Sequence, residues 1–446
     1  MADTDTQGLL DRAGELIDRA RAAGATAADV AVSRSRSTSV SVLNGAVEGT
    51  DASETDRVSL RVFLGERVAS VSGDATGDAR ALAERAVAMA KVSPADPFAG
   101  LAPEERLARD LPDLDTFDGS EVSSAALAER ALGAEAAALE VKGITQSGGA
   151  GAYAARSGLV LVTSHGFAGA HEGTTHGHSV SAIAGEGTGM ERDYDFSSRT
   201  HLADLDDPAA VGRRAGERAA RRLGGRKIET TTATVVMEPR IARGLLGTLA
   251  GAVNGASVAR GTTFLKDRMG ERVLPEGVSV TDDPTRPRRS GSRPFDAEGV
   301  AGGPVALVED GVLCSWLLSC AIARELGLET NGRGVRSGSS VGASSTNLTL
   351  SGGTLPPEAL MREVGTGLLI TEMIGRGADL VTGDYSRGAS GYWIENGEPT
   401  FPVTEVTVGS TLQHMLGAMV LADDLDHAYA TVAPTLAIPG VTIAGK

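Results

Sequence analysis

Two hydrophobic rhythms run along this chain. Residues 7–23, QGLLDRAGELIDRARAA, place Leu9, Leu10, Ala13, Leu16, Ile17 and Ala20 at helical spacing, and the GAT that follows predicts the end of that helix. From Val30 to Val71 the period drops to two, in VAVSRSRSTSVSVLNG and then RVSLRVFLGERVASVSG. That alternation predicts strands of a hairpin-rich sheet with polar residues on alternate positions. A second amphipathic helix is expected over about 77–92. The Pro- and Asp-rich run at about 93–121 reads as an ordered connector. A third helix (about 122–139) precedes further strands, from GITQSGGAGAYAARSGLVLVTSHG through SVSAIAGEG, and a fourth spans about 207–223.

GGRKIETTTATVVMEP looks like the start of a second unit, followed by a helix at about 239–253 and then mixed strands and loops. No short tandem repeat points to a solenoid. The expected class is α+β. An N-terminal half (1–225) would be a sandwich-like α/β arrangement of antiparallel strands and helices. A C-terminal half (226–446) would be β-rich and mixed.

Composition narrows the chemistry. At 446 residues the chain exceeds one ordinary domain, and with 3% aromatic residues its cores must be built from Ala, Val, Leu and Ile. A net charge of −16 argues against a protein that coats nucleic acid, which needs clustered Lys and Arg to neutralise phosphate. The basic stretch RRAGERAARR on the fourth helix is interrupted by Glu217 and is expected to be a solvated face. Cys314 and Cys320, set among apolar residues, read as buried small hydrophobes, and two cysteines cannot form a disulfide framework. The first residues lack a basic region followed by an apolar core, and no apolar run approaches a membrane span, so a cytoplasmic protein without membrane partners is expected.

The densest candidate chemistry is GAHEGTTHGH, residues 169–178, with His171, Glu172, His176 and His178. Zinc requires three or four ligands converging at about 2.0–2.3 Å. Histidines five apart on a helix are rotated by roughly 140° from one another. Gly173, Thr174 and Thr175 disfavour a helix in any case, by roughly 2 kcal/mol together relative to Ala. An antiparallel strand over 171–183 is expected. On it His171 and His176 face opposite ways, while His176 and His178 share a face. Two further motifs fail on spacing: GASGYW around Ser390 lacks the G-x-S-x-G elbow, and GEGTGM matches G-x-G-x-x-G only in part.

Longer segments carry a resemblance. TEMIGRGADLVTGDYSRGASGYWIENGEPTFPVTEVTVGSTL (371–412) strongly resembles the TldD/PmbA family, long labelled modulators of DNA gyrase. FDAEGV (295–300), VEDGVLCSWLLSCAIARELGL (308–328), SHGF (164–167) and GMERDY (189–194) fit the same family, and the likeness is greatest to its PmbA branch, also called TldE. The resemblance implies a bacterial metallopeptidase system. A TldD-type subunit carries zinc on an H-E-x-x-x-H helix, with a cysteine near the C-terminus as a further ligand. The PmbA/TldE-type subunit pairs with it, and the pair cleaves unfolded peptides, leader segments among them.

In this sequence the helix matching the zinc helix reads RIARGLLGTLAGAVNG. The ligand and base positions fall on Gly247, Thr248 and Ala252, and Ala433 lies near the place of the cysteine. The resemblance therefore implies a non-catalytic subunit that binds no zinc itself and forms a heterodimer with a zinc-bearing TldD-type partner acting on unfolded peptide. Asp384, Tyr385, Ser386, Arg387 and Gly388 are the candidates for a cleft wall or subunit contact, through exposed backbone and polar side chains. The rival expectations are an autonomous metallopeptidase using His171, Glu172 and His176, and a regulator that binds gyrase.

Overall fold

In the computed structural model, which describes residues 3–337 and 340–446, helix α1 (Asp3–Ala22) leads into a long hairpin of β1 (Ala27–Leu43) and β2 (Ala46–Leu64). Asn44 and Gly45 form its two-residue turn, both with positive φ (53° and 77°), which is the geometry that matches strand twist. Then follow β3 (Arg67–Asp74), α2 (Ala79–Val92), α3 (Ser124–Leu139), β4 (Ile144–Thr163), β5 (Ala168–Ala184), β6 (Glu191–Arg199) and α4 (Pro208–Arg221). The strands make one antiparallel sheet in the order β3-β2-β1-β4-β5-β6.

Alternation decides what covers each face. Val30, Val32, Val58, Leu60 and Val62 pack against Leu16 and Ile17 of α1 and Ala83, Ala86 and Val87 of α2. Farther along the same face, Val40, Ala152, Val180 and Ala182 meet Leu127 and Ala131 of α3 and Val211 and Ala215 of α4. Fully burying a side chain the size of Leu16, Leu60 or Leu127 contributes about 1.5–3 kcal/mol. With so few aromatics, the helices must approach closely. At Gly212 of α4 a Cβ would lie 2.1 Å from the Ala134 carbonyl oxygen of α3, so only glycine fits there. The buried Glu135 carboxylate of α3 accepts the backbone N–H groups of Asn44 and Gly45 at 2.9 and 2.7 Å, fixing the hairpin turn against the helix layer.

The C-terminal half opens with β7 (Thr231–Met237) and α5 (Pro239–Ala252). β7 lies inside a mixed sheet, between Gly367–Ile374, with which it runs parallel, and Leu436–Ala444. Beyond Gly367–Ile374 come Asp384–Glu395 and Glu398–Thr411. Pairing of Thr407–Gly409 with Thr442–Ala444 brings the sheet round into a partial barrel. A second sheet, around Val280–Asp282 and Val305–Glu309, is fastened by Arg333, which is fully buried. Its Nε donates to Asp282 Oδ2 at 2.5 Å and its Nη2 to the Asp282 and Gly303 carbonyls at 2.8 Å.

The second face of the N-terminal sheet packs on the C-terminal half. Asp29 accepts from Arg61 Nη2 at 2.5 Å and from Arg336 Nη2 at 2.6 Å, joining β1, β2 and the C-terminal half. The segment at 93–121 does more than connect. Leu101, Ala102, Ala108 and Leu114 are buried, Leu107 bridges to Val300, and Arg324 donates to the Phe98 carbonyl at 3.0 Å.

Two expectations need correcting. Cys314 is exposed, its thiol directed to the Val312 carbonyl, whereas Cys320 is buried. The arginines of α4 do not form a simply solvated face. Arg214 and Arg218 both pair with Asp195 on β6, and the buried Arg222 is held by Glu372. Among the described residues no helix is long and apolar enough to cross a membrane.

Candidate functional site

Helix α5 starts with Pro239 in its first turn and buries Ala242, Leu245, Leu246 and Leu249. Its other side is unusually bare. Gly247 is exposed with open space where a side chain would stand, and the Thr248 hydroxyl donates back to the Gly244 carbonyl at 3.0 Å. Ala252 is fully buried and points into the core. None of the three offers a nitrogen, sulfur or carboxylate donor, and Gly247 and Ala252 face different surroundings. Ala433, also buried, follows the short strand Thr431–Val432 packed beside α5. Gly247, Thr248 and Ala252, the positions that the resemblance pairs with a zinc motif, lack the donor atoms zinc takes. Among the described residues no group of three His, Cys, Asp or Glu side chains is placed to hold a metal ion.

The histidine-rich segment lies on β5, antiparallel to β4 and β6. His171 faces the C-terminal half, its ring edge-on to Phe295 at 5.1 Å. Burial, with the Arg293 charge adding to it, pushes His171 down to about 4, so the ring is neutral at pH 7. His176 and His178 lie buried on the helix-covered face, and among the described residues none of their ring nitrogens has a hydrogen-bond partner. Burial lowers both, and for His176 the Asp118 carboxylate, 3.6 Å from Nε2, opposes it only in part. Glu172 is engaged by Arg156 Nη2 at 2.6 Å. Strand geometry thus keeps His171 and His176 apart and occupies the carboxylate between them.

The segment from Asp384 to Gly388 begins the strand Asp384–Glu395, which is flanked on both sides. Gly388 pairs with Ile374 and Thr407, and Ser386 with Gly409. The exposed backbone expected here is therefore consumed by the sheet, and side chains are what remain. Asp384 and Ser386 are exposed, and Asp384 accepts from the Thr382 hydroxyl at 2.7 Å. Tyr385 is buried, which pushes its phenol up. Arg387 is half-buried with Nε sealed and unpartnered. Ile374 and Val381, 56% and 57% exposed, stand beside them, giving a rim that mixes apolar side chains with Asp384 and Ser386.

Sequence reasoning missed a charge network joining the two halves near α5. Arg240 donates from Nη1 to Asp193 at 2.8 Å and from Nη2 to the Thr371 carbonyl at 2.7 Å, and it also pairs with Glu238. Asp193 belongs to GMERDY and Thr371 opens the 371–412 segment, so two stretches singled out by resemblance meet on one arginine. FDAEGV has a comparable structural task. Asp296 accepts the backbone N–H groups of Glu298, Val300 and Gly334 at 2.7–3.0 Å, and Glu298 accepts that of Cys320 at 2.7 Å. Burial and the Glu298 charge push Asp296 up to about 6.

Models of the three domains of one family match in order. Domain 1 of the PmbA/TldA metallopeptidases covers residues 28–90, the central domain 117–223 and the C-terminal domain 230–445. The chain belongs to the PmbA/TldD metallopeptidase family. It is 37% identical to the metalloprotease PmbA of Escherichia coli O157:H7 over 426 residues, 94% of this chain and 92% of that protein. With a PmbA homologue of Haemophilus influenzae it shares 34% identity, over 92% and 90% of the two chains. The fold is that of TldE from Thermococcus kodakarensis, with a TM-score of 0.86 at 21% identity over 97% of this chain and 100% of that one. A Bacteroides thetaiotaomicron protein named as a candidate modulator of DNA gyrase gives a TM-score of 0.91 at 24% identity over the full length of both chains.

Proposed function

We propose that this PmbA/TldD-family chain is the non-catalytic, PmbA/TldE-type member of a metallopeptidase pair. It would enclose and position unfolded peptide beside the zinc site of a TldD-type partner. The observation that carries this reading is helix α5. The family scaffold is present around it, from β7 to the C-terminal strand, yet Gly247, Thr248 and Ala252 present no ligand and no general base. A zinc peptidase needs a metal-bound water and a base, and here both come from the partner. What this chain contributes is surface. The bare face of α5 lies against Leu380, where a Cβ at Gly251 would meet that side chain at 3.2 Å. The exposed Ile374, Val381, Asp384 and Ser386 continue it into a mixed apolar and polar rim of the kind subunit contacts use. The autonomous-enzyme alternative has little to build on, because His171 and His176 lie on opposite faces of β5.

The test is metal content and association together. After mild dialysis the isolated chain is expected to hold well under one zinc per molecule. Mixed with a TldD-type subunit it is expected to co-elute as a heterodimer, and Ile374→Asp with Val381→Asp is expected to weaken that association at least tenfold. Stoichiometric zinc lost in a His171→Ala/His176→Ala variant would instead support the autonomous enzyme.

A further inference from the structure

Between the N-terminal sheet and the C-terminal half lies a cavity of about 520 Å³, distinct from α5 and its rim. Its floor is two neighbouring rows of the sheet face that points away from the helices. One row is Ser72, Ser59 and Ala31, and the other is Arg57, Ser33, Leu159 and His171, as the strand registers place them. The roof comes from the C-terminal half and includes Arg293 and Phe295.

Arg293 is the anomaly. Nε and Nη2 of its guanidinium are sealed from solvent, and among the described residues they have no hydrogen-bond partner and no carboxylate forms an ion pair with the side chain. The acidic groups that act on it do so at a distance and are already used: Asp282 by Arg333 and Thr346, Asp296 by three backbone N–H groups. Arg293 is half-buried, and the charged side chains that line the cavity with it, Arg57 and Arg336, are cationic as well. The Ser59 hydroxyl on the floor is also buried and unpartnered. Among the described residues no carboxylate lines the cavity. His171, beside Arg293, is neutral and does not compete for an anion. Much of the remaining wall is apolar: Ala31, Val58, Leu159 and Phe295.

We propose that this cavity binds a small organic carboxylate with an apolar body, its carboxylate on the Arg293 guanidinium and its body against Leu159 and Phe295. Apolar walls with a few convergent polar groups at a domain junction are the usual form of a small-ligand site. A volume of about 520 Å³ suits an organic acid rather than a bare ion. A free acid and the C-terminal end of a short peptide present this same chemistry.

Calorimetric titration of the full chain tests the assignment, using N-acetyl-phenylalanine, its amide, N-acetyl-Ala-Ala-Phe and inorganic phosphate as probes. The acid is expected to bind at least tenfold more tightly than the amide and than phosphate. Tighter binding of the tripeptide would identify a peptide end as the source of the carboxylate, and weaker binding a free acid. Arg293→Gln is expected to remove the preference for acid over amide. Ala31→Leu, which fills the floor and leaves the charge in place, is expected to weaken the acid at least tenfold, with the melting temperature of each variant reporting that it is folded. Equal affinity for acid and amide, phosphate binding as tight as the acid, no binding of any probe, or unchanged binding in folded Arg293→Gln would each overturn the proposal.

Discussion

Replacing Asp29 by alanine probes the junction that places the two halves. The side chain is 1% exposed, with Arg61 donating to Oδ2 from Nε at 2.9 Å and Nη2 at 2.5 Å, and Arg336 to Oδ1 at 2.6 Å. Without it Arg61 keeps only Glu298, at 3.6 Å, and Arg336 keeps the Ala297 carbonyl at 3.1 Å. The buried Arg61 guanidinium is then left with one carboxylate at 3.6 Å, and the half-buried Arg336 with a carbonyl alone. Removing one partner of a buried ion pair typically costs about 3–5 kcal/mol, because the remaining charge stays desolvated. For a cooperative unit of about 150–250 residues, that corresponds to a fall of roughly 6–20 °C in melting temperature. Calorimetry at pH 7 measures it, and hydrogen exchange should show faster opening at Arg57–Leu64 and around residues 295–301.

The same site fixes a pH dependence. Burial pushes the Asp29 carboxyl up, but Arg336 and Arg61 outweigh it and hold the group below its ordinary value of 3.8. A carboxyl depressed in the folded state stabilises above its unfolded value, and that stability is lost as pH falls through the folded one. The wild-type advantage over Asp29→Ala should therefore be complete at pH 6 and shrink below pH 4. A melting temperature within 2 °C of wild type at pH 7 would refute the view that this cluster fastens the halves together.

Other outcomes follow from the packing and the buried imidazoles. Gly212→Ala sets a methyl against the Ala134 carbonyl and should cost about 1–3 kcal/mol or more, read as a lower melting temperature, whereas Gly247→Ala, facing open space, should be neutral or slightly stabilising. His171, His176 and His178 all lie below 6.5 in the folded chain, so the unfolded chain takes up more protons as pH drops below 6.5. Stability should fall by up to about 1.4 kcal/mol per pH unit for each imidazole that stays neutral, and a triple glutamine variant should show a shallower decline between pH 6.5 and 5.

Local pattern made much of this structure legible. The hairpin-rich sheet, the strand at 171–183 and the helix at 239–253 follow from periods of two and 3.6, and the strand's odd spacing correctly separated His171 from His176. What was not legible depends on distant partners. Closure of the barrel rests on Val408 meeting Ile443, and nothing local to either strand encodes that pairing. Cys314 sits among apolar neighbours in sequence, yet it lies just beyond a two-residue strand whose alternate positions face outward. The α4 arginines looked solvated because their partners, Asp195 and Glu372, come from other elements. The loneliness of Arg293 is visible only once every neighbour has been placed.

In the proposed pair this chain supplies enclosure and its partner supplies hydrolysis. Cleavage of an unstructured peptide by each purified subunit and by their mixture tests it most directly. Cleavage is expected only in the mixture, abolished when the glutamate of the partner's H-E-x-x-x-H helix is replaced by glutamine and unchanged by His171→Ala in this chain. Chelator-sensitive cleavage by this chain alone, free of contaminating proteases and lost with His171, would contradict it.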